Sequence, residues 1–413
     1  MNNQENLHAT LITIGDELLI GQTIDTNSAW MATELNNIGV TVKRRVAVGD
    51  AWQEIWSALE EESQTAQLIL ITGGLGPTSD DITKPLLCEF FGGKMVVDEA
   101  ARENVIEIFT KKLNRPLLDR NLKQAEVPNN CRVIQNSRGT APGMWFEKNG
   151  VIFVSMPGVP NEMKGMMTRD VIPAIKERFI LKPVQHRTLL TAGIGESFLA
   201  EKLIGFESEL PSSIKMAYLP NYGMVRIRLS SQTDNAPVDE QFEKLKLLVS
   251  EYLVVDKDLT IQGTIAEKLL NRKQTLSVAE SCTGGYISHL LTSIPGSSGF
   301  FLGSVIAYDN EVKKKLLGVD QESLDNHGAV SMETVIKMAI GVRERTGSDF
   351  SLATSGIMGP GGGTETKPVG TVYVACSTPT STASIAFHFR FDRKRNIELT
   401  AAHALDFLRK NMG

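Results

Sequence analysis

The residues with most chemical promise stand where short apolar runs stop. Leu276-Ser-Val-Ala-Glu-Ser-Cys-Thr-Gly-Gly-Tyr286 passes from an apolar stretch into small polar residues, then into a run with Ile287, Leu290, Leu291 and Ile294 at helical spacing. That pattern predicts a strand, a tight turn and a helix start. Thr283 would cap the helix, and the N–H groups of its first turn would favour an anion or a developing oxyanion, with Ser281 at the lip. Tyr308, Ser355 and Arg393 also fall at strand ends, and Lys313 follows Tyr308 by about one and a half helical turns. A serine hydroxyl attacks only when a base takes its proton. His289, His327 and His403 are poorly placed for that, whereas a lysine can serve if burial lowers its pKa, as in Ser–Lys variants of the Ser–His arrangement. N–H groups of Thr283 and Gly284, or of Ser355 and Gly356, would hold the oxyanion, and Arg393 a phosphate. The same residues also fit ordinary turn chemistry, with Lys313 a solvated member of Lys313-Lys-Lys315.

A second constellation lies in the first third. The apolar run Gln67 to Thr72 ends in Gly73-Gly74-Leu75-Gly76-Pro77-Thr78-Ser79-Asp80-Asp81, and the run His8 to Ile14 ends in Gly15-Asp16-Glu17. Glycines let backbone N–H groups approach phosphate oxygens. The loop is neither a P-loop nor a GxGxxG turn, which excludes those kinase and dehydrogenase readings. Asp80, Asp81, Asp16 and Glu17 offer the hard oxygen ligands that Mg²⁺ or a similar divalent ion takes beside a phosphate, although acids also favour helix N-termini.

These residues need a scaffold that brings strand ends to one edge. In the first and last thirds, strand-like runs alternate with helical ones, which predicts βαβ units, a parallel sheet, and ligands bound beyond the strand C-ends. Pro183 to Val254 differs: strand, helix, a hairpin turning at Pro220-Asn221-Tyr222-Gly223, and the helix Val238 to Val249. The fold class is therefore α/β, with two three-layer α/β domains (1–175 and 256–413) joined by a small α+β domain (176–255). A chain of 413 residues is long enough for three such domains. Hydrophobic content of 42%, charged content of 22% and a net charge of −5 are those of a soluble protein, and argue against bulk binding to nucleic acid or an anionic membrane. No apolar run reaches the length of a membrane span, and no secretory signal opens the chain. The four scattered cysteines predict free thiols in a reducing cytoplasm.

Several segments resemble one family. Gly15-Asp-Glu-Leu, Asn27, Thr72-Gly-Gly-Leu-Gly-Pro-Thr-Ser-Asp-Asp81 and Met156-Pro-Gly-Val-Pro160-Asn-Glu-Met resemble the N-terminal domain of the CinA (competence/damage-inducible) family, itself similar to the molybdopterin-binding MoaB/MogA fold. Ala279-Glu-Ser-Cys-Thr-Gly-Gly285, Gly296-Ser-Ser298, Ala307-Tyr-Asp-Asn310, Lys313, His327-Gly-Ala-Val-Ser331, Thr354-Ser-Gly-Ile357, Gly359-Pro360 and Lys367-Pro-Val-Gly-Thr371 resemble the CinA C-terminal domain. That group includes nicotinamide mononucleotide (NMN) amidohydrolases. The middle segment is similar to a KH-type domain, yet it has no GxxG clamp and only Arg226 and Arg228 as a thin basic patch, which favours a linker or dimer element.

The resemblance implies two activities of pyridine-nucleotide salvage. The C-terminal domain would convert NMN and water to nicotinic acid mononucleotide and ammonia without a cofactor. Ser298 and Ser281 would be the candidate nucleophile or oxyanion serines, with Ser298 placed first, Lys313 the base, and Tyr308 the residue orienting the amide. Ser355 and Arg393 would bind the ribose phosphate. The N-terminal domain would hydrolyse ADP-ribose with a divalent metal: Asp80 or Asp81 holding the ion, Asp16 or Glu17 binding metal or positioning water, Gly73, Gly74, Gly76 and Asn27 at the diphosphate. Asp309 and Met358 depart from the family's usual residues near the pocket. A homodimer acting on small nucleotides is expected. The rival is a non-catalytic pterin- or nucleic-acid-binding protein of competence or DNA-damage response.

Overall fold

The computed structural model describes residues 7–78 and 80–413, so Ser79 of the glycine-rich loop lies outside it. The chain forms two compact units, Met1–Val184 and Gln185–Gly413.

The first unit is built on a six-stranded sheet. Its strands are β1 (His8–Ile14), β2 (Thr41–Val48), β3 (Leu68–Thr72), β6 (Arg132–Ile134), β7 (Gly143–Lys148) and β8 (Val151–Met156), in the order β2-β1-β3-β8-β7-β6; β4 (Met95–Val97) and β5 (Glu126–Pro128) form a separate ribbon. β2, β1, β3 and β8 run parallel, while β7 and β6 are antiparallel additions. The expected parallel sheet is thus a mixed one, because β7 returns through the tight Asn149-Gly150 turn, where both residues have positive φ. Alternation along the strands makes three layers. Leu11, Leu70 and Val154 pack with Met31 and Met163 from helices Thr26–Asn37 and Pro160–Met166. Ile12, Ile69 and Phe153 face Ile55 and Leu86 from helices Trp52–Glu62 and Thr83–Phe90.

The second unit holds two sheets. β9 (Gln185–Ala192), β10 (Lys215–Asn221), β11 (Met224–Ser231) and β12 (Leu253–Val255) form an antiparallel sheet in the order β10-β11-β9-β12. Helices Glu196–Ser208 and Val238–Leu248 cover one face through Leu199, Leu203 and Leu245. Leu190, Ala192 and Met224 join the core of the last third instead, so the small module shares buried surface with its neighbour. The other sheet comprises β13 (Leu276–Glu280), β14 (Phe301–Ile306), β15 (Phe350–Gly356), β16 (Thr371–Ser377) and β17 (Thr382–His388), in the order β14-β13-β15-β16-β17. β14, β13 and β15 are parallel; β16 and β17 are antiparallel. Ala279, Ala353 and Ala375 lie in register across three strands, and their small side chains let the helix Met332–Thr346 sit close. Helices Ile261–Arg272 and Arg393–Asn411 cover the opposite face through Leu269 and Leu405.

Candidate functional site

The parallel pairing of β13 with β14 and β15 brings Glu280, Ile306 and Thr354 level at one sheet edge. Just beyond that edge stand Ser281, Cys282, Thr283, Tyr308 and Ser355. The helix Asn310–Leu317 begins there, capped by the Asp309 carboxylate, which accepts from the Glu311 N–H at 2.7 Å. Asp309 thus sets the direction of the helix that carries Lys313. The lysine is only 1% exposed and donates from Nζ to the Tyr308 carbonyl at 3.0 Å. Burial holds its pKa below the ordinary 10.5, opposed by the negative charge of Asp309. The reading of Lys313 as a solvated member of its basic run therefore gives way to a buried amine.

Tyr308 is 62% exposed. Its hydroxyl accepts from Arg393 Nη2 at 2.9 Å, and Arg393 Nη1 donates to the Gly359 carbonyl at 2.8 Å. Tyr308, Lys313 and Arg393, read from separate segments, meet at one place, and Ser281 shares their edge. Cys282 is fully enclosed and its thiol is pushed up to about 12, which keeps it protonated and unfit as a nucleophile.

Two expectations are corrected. Thr283 does not cap the helix Tyr286–Thr292; its hydroxyl pairs with Thr354 Oγ1 at 2.8 Å. The cap is Glu280. Its buried carboxylate accepts from the N–H groups of Gly285 (3.0 Å), Ile287 (3.1 Å) and Ser288 (2.8 Å) and from Ser288 Oγ (2.5 Å). The helix start thus already holds an internal anion, and Gly284 N–H is spent on the Ser281 carbonyl at 3.2 Å. An oxyanion cradle from the first helical turn is therefore closed. Ser298 is the other correction. It is exposed in the short turn before β14, beside the Leu276–Phe301 end of the sheet, whereas Ser281, Tyr308 and Lys313 lie past the Glu280–Ile306 end. Five strand rises, roughly 16 Å, separate the two ends. Ser355 donates to the Ala329 carbonyl at 2.6 Å and is buried, and Gly356 is held in the β15–β16 ladder.

In the first unit a cavity of about 430 Å³ opens at the C-terminal ends of β1 and β3, lined by Glu17, Asp50, Gly73, Gly74, Gly76, Asp80, Asp81 and Glu162 among others. The glycines permit close approach of loop to loop. A Cβ on Gly73 (φ 118°) would lie 2.2 Å from the Ile14 carbonyl oxygen, and one on Gly74 (φ 62°) 2.1 Å from Thr83 Oγ1. Gly73 N–H donates to the Met156 carbonyl at 3.2 Å and Gly76 N–H to Asp81 Oδ1 at 2.7 Å, so two of the three expected phosphate donors point inward. Asp81 also accepts from Thr78 N–H and Oγ1, at 2.8 and 2.5 Å; it organises the loop. Asn27 ties β3 to the next loop, donating to the Gly158 carbonyl at 2.7 Å and Thr72 Oγ1 at 3.3 Å. Asp16 accepts from Asp50 N–H at 3.1 Å, while Asp50 accepts from Asp16 N–H at 3.0 Å.

Among the described residues no three acidic, histidine or cysteine side chains gather tightly enough to hold a metal by themselves. Burial first, then the nearby charges of Asp16, Glu17 and Asp80, hold the Asp50 carboxyl above the ordinary 3.8. Such a crowded acidic wall fits an ion that brings most of its ligands with it, as Mg²⁺ does when one or two carboxylates and substrate phosphates share it. Three residues were missed from the sequence: Asp50, in the loop after β2, Glu162 and Lys84. Glu162, its carboxyl raised by burial and bonded by Asn136 Nδ2 at 2.6 Å, lines the cavity; its signal was its place in Met156-Pro-Gly-Val-Pro160-Asn-Glu-Met. Lys84, buried and pushed down to about 8, donates to the Gln124 carbonyl at 2.5 Å.

Among the described residues no helix is long and apolar enough to cross a membrane. Residues 10–177 match the model of a probable molybdopterin binding domain, 186–253 the damage-inducible protein CinA KH domain, and 258–412 the CinA C-terminal domain. A CinA-like protein of Cytophaga hutchinsonii is 40% identical over 412 residues, covering 98% of each chain. That of Flavobacterium psychrophilum is 40% identical over 412 residues, covering 98% of this chain and 99% of its own. A solved structure of the protein CinA with unknown function from Thermoplasma acidophilum is 34% identical, with 42% of this chain and 99% of that one aligned at a TM-score of 0.37. The chain belongs to the CinA family.

Proposed function

We propose that the second unit hydrolyses the carboxamide of NMN, giving nicotinic acid mononucleotide and ammonia. The observation that carries this reading is Lys313: an amine almost wholly withdrawn from water, with its pKa lowered by burial, beside the Tyr308–Arg393 pair. An uncharged amine there takes the proton of a serine Oγ as that oxygen attacks the carboxamide carbon. The C–N bond breaks, the proton passes from Nζ to the departing nitrogen, and ammonia leaves. Water then adds to the ester by the same proton route, releasing the carboxylate product and the free serine. Tyr308 borders the amide, and Arg393 supplies a forked cation for the phosphate. Of the serine and threonine hydroxyls at this edge, Thr283 pairs with Thr354 and Ser355 donates to the Ala329 carbonyl, which favours Ser281 as the attacking oxygen. Ammonia release from NMN by the wild type, Ser281→Ala and Ser298→Ala tests the reading; a wild type without turnover ends it.

We infer that the first unit binds the diphosphate of ADP-ribose and cleaves it to AMP and ribose 5-phosphate. The support is the acidic cavity at the sheet's C-terminal edge. A divalent ion, when bound, would supply positive charge to the phosphates there. Asp80, Glu17 and Asp50 line the cavity and would share it, and Glu162, its carboxyl raised by burial, would exchange a proton with substrate or water. Acting on cytoplasmic nucleotides, the two units would both process products of NAD breakdown.

A further inference from the structure

We propose that the second unit holds a further small-molecule site, enclosed by the turn between β10 and β11 and the helices Tyr286–Thr292 and Arg393–Asn411, which takes a neutral single-ring aromatic carboxamide. It goes beyond the amide-hydrolysis reading and stands without it.

Three observations carry it. The first is size and lining. A cavity of about 160 Å³ opens where the turn meets the two helices, and Tyr222, Tyr286, Leu219, Met224 and Leu290 make most of its wall apolar. An apolar cavity of ~150 Å³ holds one benzene, so a single aromatic ring fills this space. The tyrosine faces give such a ring the surface it prefers to bury against.

The second is the pair of charged groups on the same wall, Arg226 and Glu398. Arg226 Nε is buried and has no hydrogen-bond partner among the described residues. The Asp258 carboxylate stands 3.6 Å from it, beyond hydrogen-bond reach. A buried donor left unpaired is costly, and a ligand oxygen relieves it. The Glu398 side chain is 12% exposed, with Lys394 4.0 Å away and out in solvent. Glu398 accepts from the Tyr222 hydroxyl, and a carboxylate keeps lone pairs for a second donor. A net charge on the ligand would meet a like charge on one of the two groups. A carboxamide suits both: its oxygen accepts from Arg226 Nε–H, and its N–H donates to Glu398.

The third is the turn itself. Tyr222 has φ 44° and Gly223 φ 76°, a two-residue turn with both φ positive, whose first position ordinarily takes Asn, Asp or Gly. A tyrosine is strained there. Gly223 packs so closely on the helix Arg393–Asn411 that a Cβ would lie 2.7 Å from His403 Nε2, which seats the turn. The strained residue thereby holds an aromatic ring at the cavity and a hydroxyl on Glu398, as strained residues at ligand clamps do.

Benzamide is the probe, because it carries the ring and the carboxamide and nothing else. Equilibrium dialysis against the full-length chain should give saturable binding at one site per chain. Benzoate, of the same shape but charged and without an N–H, should bind about tenfold more weakly or worse. Leu219→Trp, which fills the cavity from a part-exposed strand position, should abolish binding, and Arg226→Met should weaken it about tenfold, both with wild-type circular dichroism. Lys313→Ala, at the deamidase edge, should bind as wild type does. Absence of saturable binding to wild type, benzoate binding as tightly as benzamide, or full binding by folded Leu219→Trp or Arg226→Met overturns the site. Loss of binding in Lys313→Ala assigns the probe to the deamidase edge and overturns it equally. Should Leu219→Trp not fold, Arg226→Met and benzoate decide. A wild type that binds benzamide and releases no ammonia from NMN overturns the deamidase reading alone.

Discussion

The Tyr308 hydroxyl accepts a hydrogen bond from Arg393 at 2.9 Å, joining residues 85 positions apart in the chain, and the same guanidinium is fixed by the Gly359 carbonyl. Arg393 is thus held at two points before substrate arrives, and its fork is what a phosphate needs. Arg393→Lys keeps the charge and loses the fork. The KM for NMN should rise about tenfold, equivalent to ~1.4 kcal/mol of binding, with a smaller change in kcat. Steady-state ammonia release measures both; an effect confined to kcat contradicts a phosphate role.

Lys313 is placed at a cost to stability. Its folded pKa lies below the unfolded 10.5 because burial disfavours the ammonium. The unfolded chain therefore holds more protons, stability rises with pH up to 10.5, and the cost is fully present below the folded pKa. Lys313→Met should raise stability at neutral pH by ~1 kcal/mol and lower ammonia release by about a thousandfold or more. Urea unfolding at pH 7 beside the activity assay checks this; a destabilised variant would place the lysine among structural residues.

Glu280 works in the opposite sense. Its carboxylate is fully buried and accepts four hydrogen bonds from the next helix. Glu280→Ala leaves those donors without an acceptor and should cost about 3 kcal/mol. Glu280→Gln keeps shape but loses charge and should cost less. Thermal unfolding ranks the two; equal melting temperatures would contradict the capping role.

In the first unit, the two adjacent aspartates should separate cleanly. Both line the cavity, but Asp81 also fastens Gly76 and Thr78. Asp80→Ala should cut ADP-ribose hydrolysis by about a hundredfold, leaving the melting temperature and NMN deamidation intact. Asp81→Ala should lower both ADP-ribose turnover and unit stability, the latter by ~1 kcal/mol. A fully active Asp80→Ala enzyme would remove that carboxylate from the site.

Much of this was readable from the residues. The runs at His8, Gln67, Val151, Leu276 and Asp349 are apolar enough to mark central strands, and the glycines after them mark the loops at the sheet edge. The antiparallel β7 is not legible from Gly143–Lys148, whose four apolar residues followed by two charged ones show neither strict alternation nor a fully apolar run. Thr283 looked like a cap because short hydroxyl residues usually are; a buried carboxylate three residues earlier binds the same N–H groups more strongly. The opposite placement of Ser298 and Tyr308 was legible in principle: one precedes and the other follows a single strand. What no spacing reveals is the inward donation of the Gly73 amide, which goes to the Met156 carbonyl far along the chain, and of the Gly76 amide, which goes to Asp81 within its own loop.

The account stands most directly on the pH dependence of NMN turnover. Ammonia release and nicotinic acid mononucleotide are measured from pH 5 to 11 for wild type and Lys313→Ala. The account expects kcat/KM to rise through one ionisation below 10.5 in the wild type and that limb to vanish, with most of the activity, in the variant. A wild type that releases no ammonia, or a variant with an unchanged profile, contradicts it.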